Sequence, residues 1–158
     1  MSSAQPLSLR LAPVGAGDVA ALVGFLGRAD LTTAGLDAPT VRLWADRDAD
    51  GRITGSTGYE LSHDGEHALV RSVAVDAAAR RGGYGTALAR HALAAAAAEG
   101  ARRAWLFSRR SGGFWRTLGF APADRDALAA ALGATHQVRL FTATGQLDRE
   151  VAWSRPLP

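Results

Sequence analysis

Alternating apolar and polar positions predict β-strands in the first half of the chain, because successive side chains of a strand point to opposite faces. Three segments show this alternation: residues 7–11, 41–46 and 52–61. Residues 68–75 (ALVRSVAV) are almost wholly apolar, which is typical of a strand buried on both faces. Turn sequences at 48–51 (DADG) and 62–67 (SHDGEH) separate the last three strands and favour an antiparallel meander.

Helical spacing of apolar residues predicts a helix after the first strand. Asp18 is a good N-cap for a helix over residues 18–28, and 29–39 is expected to be a loop with one short helical turn. Further along the chain we expect helices at 83–98, 112–118 and 124–132, a strand at 103–108, and a closing hairpin formed by 137–143 and 149–155.

The order of these elements predicts one domain, residues 1–158, of mixed α/β (α+β) class. The strand–helix–strand unit over 68–108 requires a parallel pairing and a right-handed crossover. The hairpins require antiparallel pairing. We therefore expect a mixed, mostly antiparallel sheet with helices on both faces.

Composition narrows the class of function. The net charge is +3, and all 18 basic residues are arginine. They form no basic block with interleaved aromatic residues, so we expect no nucleic-acid partner. The chain has no cysteine, and its four histidines do not fall at metal-ligand spacing, so we predict no metal site. We find no signal-peptide core or membrane-spanning run and expect a cytoplasmic protein without a membrane partner.

The sequence RRGGYG at residues 80–85 follows the apolar strand and opens a helix. Free N–H groups at a helix N-terminus bind phosphate when side chains leave room for it, and the glycines provide that room. The P-loop pattern is absent, since the chain has no lysine, and the dinucleotide pattern fails at Leu88. The spacing that fits is R-x-x-G-x-G, formed by Arg80, Gly83 and Gly85. The alternative is a tight turn without a ligand.

With the preceding strand and the later segment FWRTLGF (114–120), this turn resembles the acyl-CoA-binding motif of the GNAT acetyltransferase superfamily. The resemblance implies a GNAT fold whose cofactor strand splays from residues 104–108 and admits acetyl-CoA. It also implies the cofactor-binding residues. Backbone groups of the strand would pair with the pantetheine arm, and the turn would hold the pyrophosphate: Val73, Ala74, Val75, Arg80, Arg81, Gly82, Gly83, Tyr84, Gly85 and Thr86.

Three segments are similar to the small GNAT proteins encoded in arsenic-resistance operons. They are GYEL (58–61), LVRSVAV (69–75) and the tail DREVAWSRPLP (148–158). The C-terminal third departs from that pattern around Thr142 and Ala143, where the Cys-Pro element of those proteins is replaced.

The reacting groups are less clearly marked. Trp115 stands where many GNAT enzymes have a tyrosine acid, and an indole cannot donate a proton at useful pH. Tyr59 is an alternative acid if its side chain points to the site. Glu60 is the candidate catalytic base, and the competing interpretation pairs it structurally with Arg71. Arg71 and Ser72 are candidate substrate-binding residues, since a guanidinium binds carboxylates in bidentate fashion.

These features predict an acetyl-CoA-dependent N-acetyltransferase whose acceptor is a small, anionic or amino-acid-like primary amine. The amine would attack the thioester directly in a ternary complex. The first alternative is an acyl-CoA sensor or interaction module with little catalysis. The second is a phosphate or nucleotide site unrelated to coenzyme A. The strand at 149–155 could also pair across a homodimer.

Overall fold

The computed structural model describes residues 9–158. Its strands are β1 (Ala12–Pro13), β2 (Val41–Arg47), β3 (Ile53–Leu61), β4 (His67–Val75), β5 (Arg103–Phe107), β6 (Ala121–Ala123) and β7 (Ala152–Pro156). Its helices are α1 (Val19–Arg28), α2 (Tyr84–Ala98), α3 (Gly112–Thr117), α4 (Arg125–Ala131) and α5 (His136–Thr144).

The strands form one sheet in the order β1-β2-β3-β4-β5-β7-β6. All neighbours pair antiparallel except β4 and β5, which are parallel and joined through α2. This arrangement confirms the predicted mixed sheet and the crossover over 68–108. Glu60 pairs with Leu69 across β3 and β4.

Helices cover both faces of the sheet, as expected. On one face, α1 contributes Leu22, Phe25 and Leu26 to a cluster with residues of β2 and β3. The same face carries α4 and α5, which pack on Leu69 and Trp105. The other face is covered by α2 and α3, whose buried side chains pack on residues of β3, β4 and β5.

The predicted closing hairpin is wrong. Residues 137–143 lie in helix α5, and only the second half of the hairpin is a strand, β7. Strand β7 pairs with β5 on one edge and with β6 on the other over Ala152–Ser154, so that stretch offers no free edge to a second copy.

Two sequence signals mark α5 as a helix. Thr135 is its N-cap, and its hydroxyl accepts from the N–H of Val138. Gly145 ends it with φ +75°, the left-handed conformation that glycine favours. Val138 and Phe141, three residues apart, form the buried face. The segment QVRLFTA was predicted as a strand. Its β-branched and aromatic residues are enriched in strands, although tertiary packing can place them in a helix.

The predicted first strand at 7–11 is also misplaced. Residues 7 and 8 lie outside the described residues, and 9–11 are not in a strand. The observed strand is Ala12–Pro13, which pairs with Ala45 and Trp44 of β2. Pro13 is tolerated in this strand because β1 is at the edge of the sheet, where a missing N–H costs little.

Candidate functional site

Strands β4 and β5 separate part-way along their length. Their pairing is limited to His67–Leu69 against Arg103–Trp105. Beyond Leu69, β4 continues to Val75 with no partner strand on the side that faces β5. An exposed strand edge presents alternating N–H and C=O groups, which an extended ligand with amide groups can pair with.

A bulge in β4 accompanies this separation. Ser72 has φ +62°, and the register between β3 and β4 shifts between Ser56 and Gly58. The Ser56 hydroxyl donates to the carbonyl of Ser72 at 2.6 Å and holds the bulge in place. A bulge bends its strand, so it is the local cause of the changed course of β4.

The separated strands enclose a cavity of about 590 Å³, which we call the slot. Many of the predicted cofactor residues line it: Val73, Ala74, Val75, Arg80, Arg81, Tyr84 and Gly85. Arg71 and Ser72 line it as well, as does Trp115 of α3. Gly82, Gly83 and Thr86 lie in the adjoining turn and the first turn of α2.

The glycine turn presents free donors to solvent. Gly83 has φ +79°, and a Cβ at Gly82 or Gly83 would meet no atom within 4 Å. No backbone carbonyl among the described residues accepts from the N–H groups of Gly82, Gly83, Gly85 or Thr86. The open space and the unpaired donors fit a pyrophosphate group.

The Tyr84 side chain supports this turn from below. Its hydroxyl donates to the buried carboxylate of Asp46 at 2.8 Å and lies 3.0 Å from the Thr54 hydroxyl. Burial raises the pKa of Tyr84 to about 12, so the phenol keeps its proton. A Cβ at Gly55 would lie 2.5 Å from this hydroxyl, which explains the glycine there. The Arg81 guanidinium lies 4.5 Å from the centre of the Tyr84 ring.

A second, larger cavity of about 840 Å³ adjoins the slot, and we call it the wide cleft. The loop after α1, the segment after β5, and α5 form its walls. Five residues line both cavities, and we call them the crossing: Leu31, Phe107, Ser108, Ser111 and Gln137. Two solvent-connected cavities therefore meet at one place.

Glu60 is buried beneath the crossing in a polar network. Its Oε2 lies 3.6 Å from Nη1 of Arg71, and both side chains are at most 1% exposed. Its Oε1 accepts from the backbone N–H of His136 at 2.8 Å and lies 2.7 Å from the His136 ring Nδ1. Glu60 lines neither cavity. These contacts match the paired interpretation of Glu60 and tie β3 to the first residue of α5.

Arg71 connects this network to the loop of the wide cleft. Its Nη2 donates to the carbonyl of Thr32 at 3.4 Å, and its Nε donates to the Ser72 hydroxyl at 3.3 Å. Burial lowers the pKa of its guanidinium, while the Glu60 carboxylate acts in the opposite direction. Residues 31–34 of that loop line the wide cleft.

Sequence reasoning missed His136 and Gln137. Both fell in or beside the segment predicted as a strand, so their place at the start of α5 was not foreseen. The Thr135 cap was the available signal. The Oε1 atom of Gln137 is buried and has no hydrogen-bond partner among residues 9–158.

Trp115 and Tyr59 were considered for protonating the leaving thiolate, and of the two Trp115 lines the slot. Trp115 is 7% exposed and packs against Phe114 and Phe120, in the wall of the slot. The Tyr59 hydroxyl binds Glu99 at the end of α2, on the far face of the sheet from Glu60. Burial raises the pKa of Tyr59. Tyr59 lines neither cavity, so its phenol does not serve the slot. Nε1 of Trp105 donates to Nδ1 of His67, a structural contact.

The sequence model of the acetyltransferase (GNAT) family matches residues 22–120. The chain belongs to this family. The resemblance carried by the turn and the FWRTLGF segment is thereby confirmed, and the protein is an acyltransferase of the GNAT type. No curated protein matches the chain.

Solved structures share the fold at low identity. N-acetylglutamate synthase from Neisseria gonorrhoeae, complexed with coenzyme A and N-acetyl-glutamate, has 20% identity and a TM-score of 0.72, covering 98% of this chain and 36% of that one. This chain thus spans about a third of that enzyme's length. Rv2747 from Mycobacterium tuberculosis, in complex with CoA and NLQ, has 17% identity and a TM-score of 0.72, covering 94% and 99%. Nourseothricin acetyltransferase has 19% identity and a TM-score of 0.62, covering 96% and 100%.

Between residues 9 and 158, no helix is both long and apolar enough to cross a membrane. In the same part of the chain, no three His, Asp or Glu side chains are grouped so that they could hold a metal ion.

Proposed function

We propose that this protein is an acetyl-CoA-dependent N-acetyltransferase that acts on the primary amine of a small, anionic or amino-acid-like acceptor. The observation that carries the proposal is the crossing, where the slot between β4 and β5 opens into the wide cleft. A thioester at the end of the slot would lie beside an amine in the wide cleft. Direct attack in a ternary complex suits this geometry, and the chain has no cysteine for a thioester intermediate.

The donor side is the better supported half. The unpaired edge of β4, Val73 to Val75, would pair with the amide groups of the pantetheine arm. The unpaired N–H groups of Gly82, Gly83, Gly85 and Thr86 would hold the pyrophosphate, with added positive charge from Arg80. When bound, acetyl-CoA supplies the thioester carbonyl that the amine attacks.

The transfer forms a C–N bond and breaks a C–S bond, and the amine nitrogen loses a proton. We infer that Glu60 and Arg71 act chiefly by positioning. Both are buried, and together they hold Thr32 of the wide-cleft loop and the first residue of α5. If Glu60 also takes the proton, it must do so through a water molecule, since it lines neither cavity. Ser72, at the bulge, would contact the acceptor or the thioester from the slot wall.

The leaving group does not require an acid from the protein. A free thiol has a pKa of about 8.5, so a thiolate can depart and then take a proton from water. The slot is open to solvent at the crossing, where the Ser108 hydroxyl is held by the N–H of Ser111 at 3.0 Å. This accounts for an active transferase with Trp115 in the place of the usual tyrosine.

Related names support a small acceptor. One structural neighbour is an N-acetylglutamate synthase holding N-acetyl-glutamate, and another is named for the antibiotic nourseothricin. The second is an acetyltransferase by name. The resemblance to arsenic-resistance GNAT proteins stays a prediction.

Calorimetric titration with acetyl-CoA, with CoA and ATP as controls, tests the donor site first. We expect acetyl-CoA and CoA to bind and ATP to bind at least tenfold more weakly. A panel of amines and amino acids, assayed by release of free CoA thiol, then tests transfer. A folded sample that binds neither acetyl-CoA nor CoA would overturn the proposal. Equal binding of ATP would favour a general phosphate site.

Trp115 also supports a second candidate, an acyl-CoA sensor with little catalysis, because it removes the usual acid. That function predicts tight acetyl-CoA binding together with no thiol release above the hydrolysis background for any amine. The transferase predicts release that saturates with one class of amine.

A further inference from the structure

Charged residues are concentrated in the wide cleft. Three arginines and two acids line it: Arg109, Arg110, Arg149, Asp30 and Glu150. The slot and the wide cleft meet at Ser108, which immediately precedes two of these arginines in the chain. The cleft therefore brings positive charge close to the place where the acceptor amine must lie.

One of the three arginines is already neutralised. Arg109 Nε lies 3.4 Å from Oε1 of Glu150, whose side chain is 6% exposed. The same oxygen accepts from Nε2 of Gln146 at 3.1 Å. Arg109 and Glu150 thus neutralise each other within the protein, so neither side chain needs a ligand as its partner.

The other two arginines are not paired. Across residues 9–158, no hydrogen bond, ion pair or ring contact involves the side chain of Arg110 or Arg149. Both residues are exposed. Asp30, the remaining acid, directly precedes Leu31 of the crossing, where the ammonium of an acceptor would arrive. The cleft thus offers charges of both signs to a ligand.

Arg71 is a poorer anion site than this pair. Its side chain is fully buried, and its charge is balanced by Glu60. Binding an acceptor anion there would require the ion pair to open. Two accessible guanidinium groups without partners need no such rearrangement, and each can hold a carboxylate through two N–H donors.

We propose that Arg110 and Arg149 form the subsite for the acceptor's carboxylate, so that the substrate class is amino acids whose amine lies at the crossing. This proposal rests on the proposed function and assigns the acceptor's recognition to named residues. The Cα atoms of Ser108 and Arg110 are at most about 7 Å apart, and the flexible arginine side chain sets the remaining distance, so the ligands tested differ in the spacing of amine and carboxylate.

The test uses product-like ligands and does not depend on turnover. N-acetylglycine, N-acetyl-β-alanine and N-acetyl-γ-aminobutyrate, each with its neutral primary amide, are titrated into the CoA-saturated protein by calorimetry. We expect at least one acid to bind tenfold or more tightly than its amide. The preference should weaken as salt is raised, since both arginines are exposed and screened.

Variants assign the preference to the two arginines. In the Arg110→Gln/Arg149→Gln double variant, the acid and the amide should bind within twofold of each other. Arg139→Gln is the matched control, because Arg139 is an exposed arginine on α5 that lines neither cavity, and it should keep the wild-type preference. Both substituted sites are exposed, and a thermal melt checks that the double variant folds.

The contrary outcomes are distinct. The subsite is overturned if acid and amide bind alike, if none of the six ligands binds, or if the double variant keeps the preference. Failure of the transferase proposal has a different signature: the acid preference is present and depends on the two arginines, yet no amine is acetylated.

Discussion

Oε2 of Glu60 faces Nη1 of Arg71 at 3.6 Å, with both side chains shielded from water. Removing one member of a buried pair leaves the other charge uncompensated and costs about 3–5 kcal/mol. We therefore expect Glu60→Gln to lower the free energy of unfolding by about 3 kcal/mol in urea denaturation. Arg47→Gln is the comparison, since its ion pair with Asp18 is exposed and should contribute no more than about 1 kcal/mol.

The same variant separates the two interpretations of Glu60. If Glu60 is a positioning residue, Glu60→Gln should lower the free energy of unfolding and raise the KM for the acceptor, with a smaller effect on kcat. If Glu60 is a catalytic base, Glu60→Gln should lower kcat by a hundredfold or more, while the free energy of unfolding and the affinity for acetyl-CoA stay unchanged. Unchanged stability with a lost acidic limb of the pH–rate profile would contradict the positioning role.

Substitution of Gly83 should affect both stability and ligand binding. Its φ of +79° bears on the stability of the fold, and its place in the glycine turn bears on acetyl-CoA binding. Gly83→Ala should cost about 1 kcal/mol of stability through strain and should also weaken acetyl-CoA binding by crowding the pyrophosphate. Gly51 has φ +82°, lies in the β2–β3 turn, and likewise has open space around it. Gly51→Ala should cost similar stability and leave the acetyl-CoA Kd unchanged. Equal affinities in the two variants would mean that the turn holds no phosphate.

Much of the donor site could be predicted from the sequence because it depends on local pattern. One side of the slot and its turn come from consecutive residues, 70–86, whose strand, glycine and helix signals agree. The order β2-β3-β4-β5 also followed, since turns and one crossover fix the neighbours of these strands.

The acceptor side could not be predicted because distant segments form it. The wide cleft combines the loop after α1 with the residues after β5 and with α5. The error at α5 removed His136 and Gln137 from consideration, and only Thr135 and Gly145 marked it as a helix. Pairing across such segments depends on tertiary packing that local propensity does not encode.

Trp115 supports a prediction about the leaving group. Trp115→Tyr places a phenol in the slot wall, and we expect it to raise kcat by protonating the thiolate. The phenol must keep its proton, so the added rate should be lost as the pH rises through about 10. Trp115→Phe supplies the same ring without the hydroxyl and should show no such basic limb. If the tyrosine and phenylalanine variants have the same pH–rate profile, the thiolate leaves unassisted in both.

His91 of α2 is expected to make the stability of the fold depend on pH. Its ring packs edge-on against Trp44, its Nε2 is buried without a hydrogen-bond partner in the described part of the chain, and burial lowers its pKa. The histidine pKa is about 6.5 in the unfolded state and lower in the folded state. Between these two values the unfolded state binds more protons, so the free energy of unfolding decreases as the pH is lowered. We expect a lower melting temperature at pH 5 than at pH 7.5.

His91→Leu should reduce that difference, because the apolar side chain removes the proton uptake and keeps the contact with Trp44. His63, which is exposed in the β3–β4 turn, is the matched control, and His63→Leu should keep the wild-type pH dependence. Melting curves at both pH values for the three proteins decide the matter. If His91→Leu retains the full decrease, the acid sensitivity arises elsewhere.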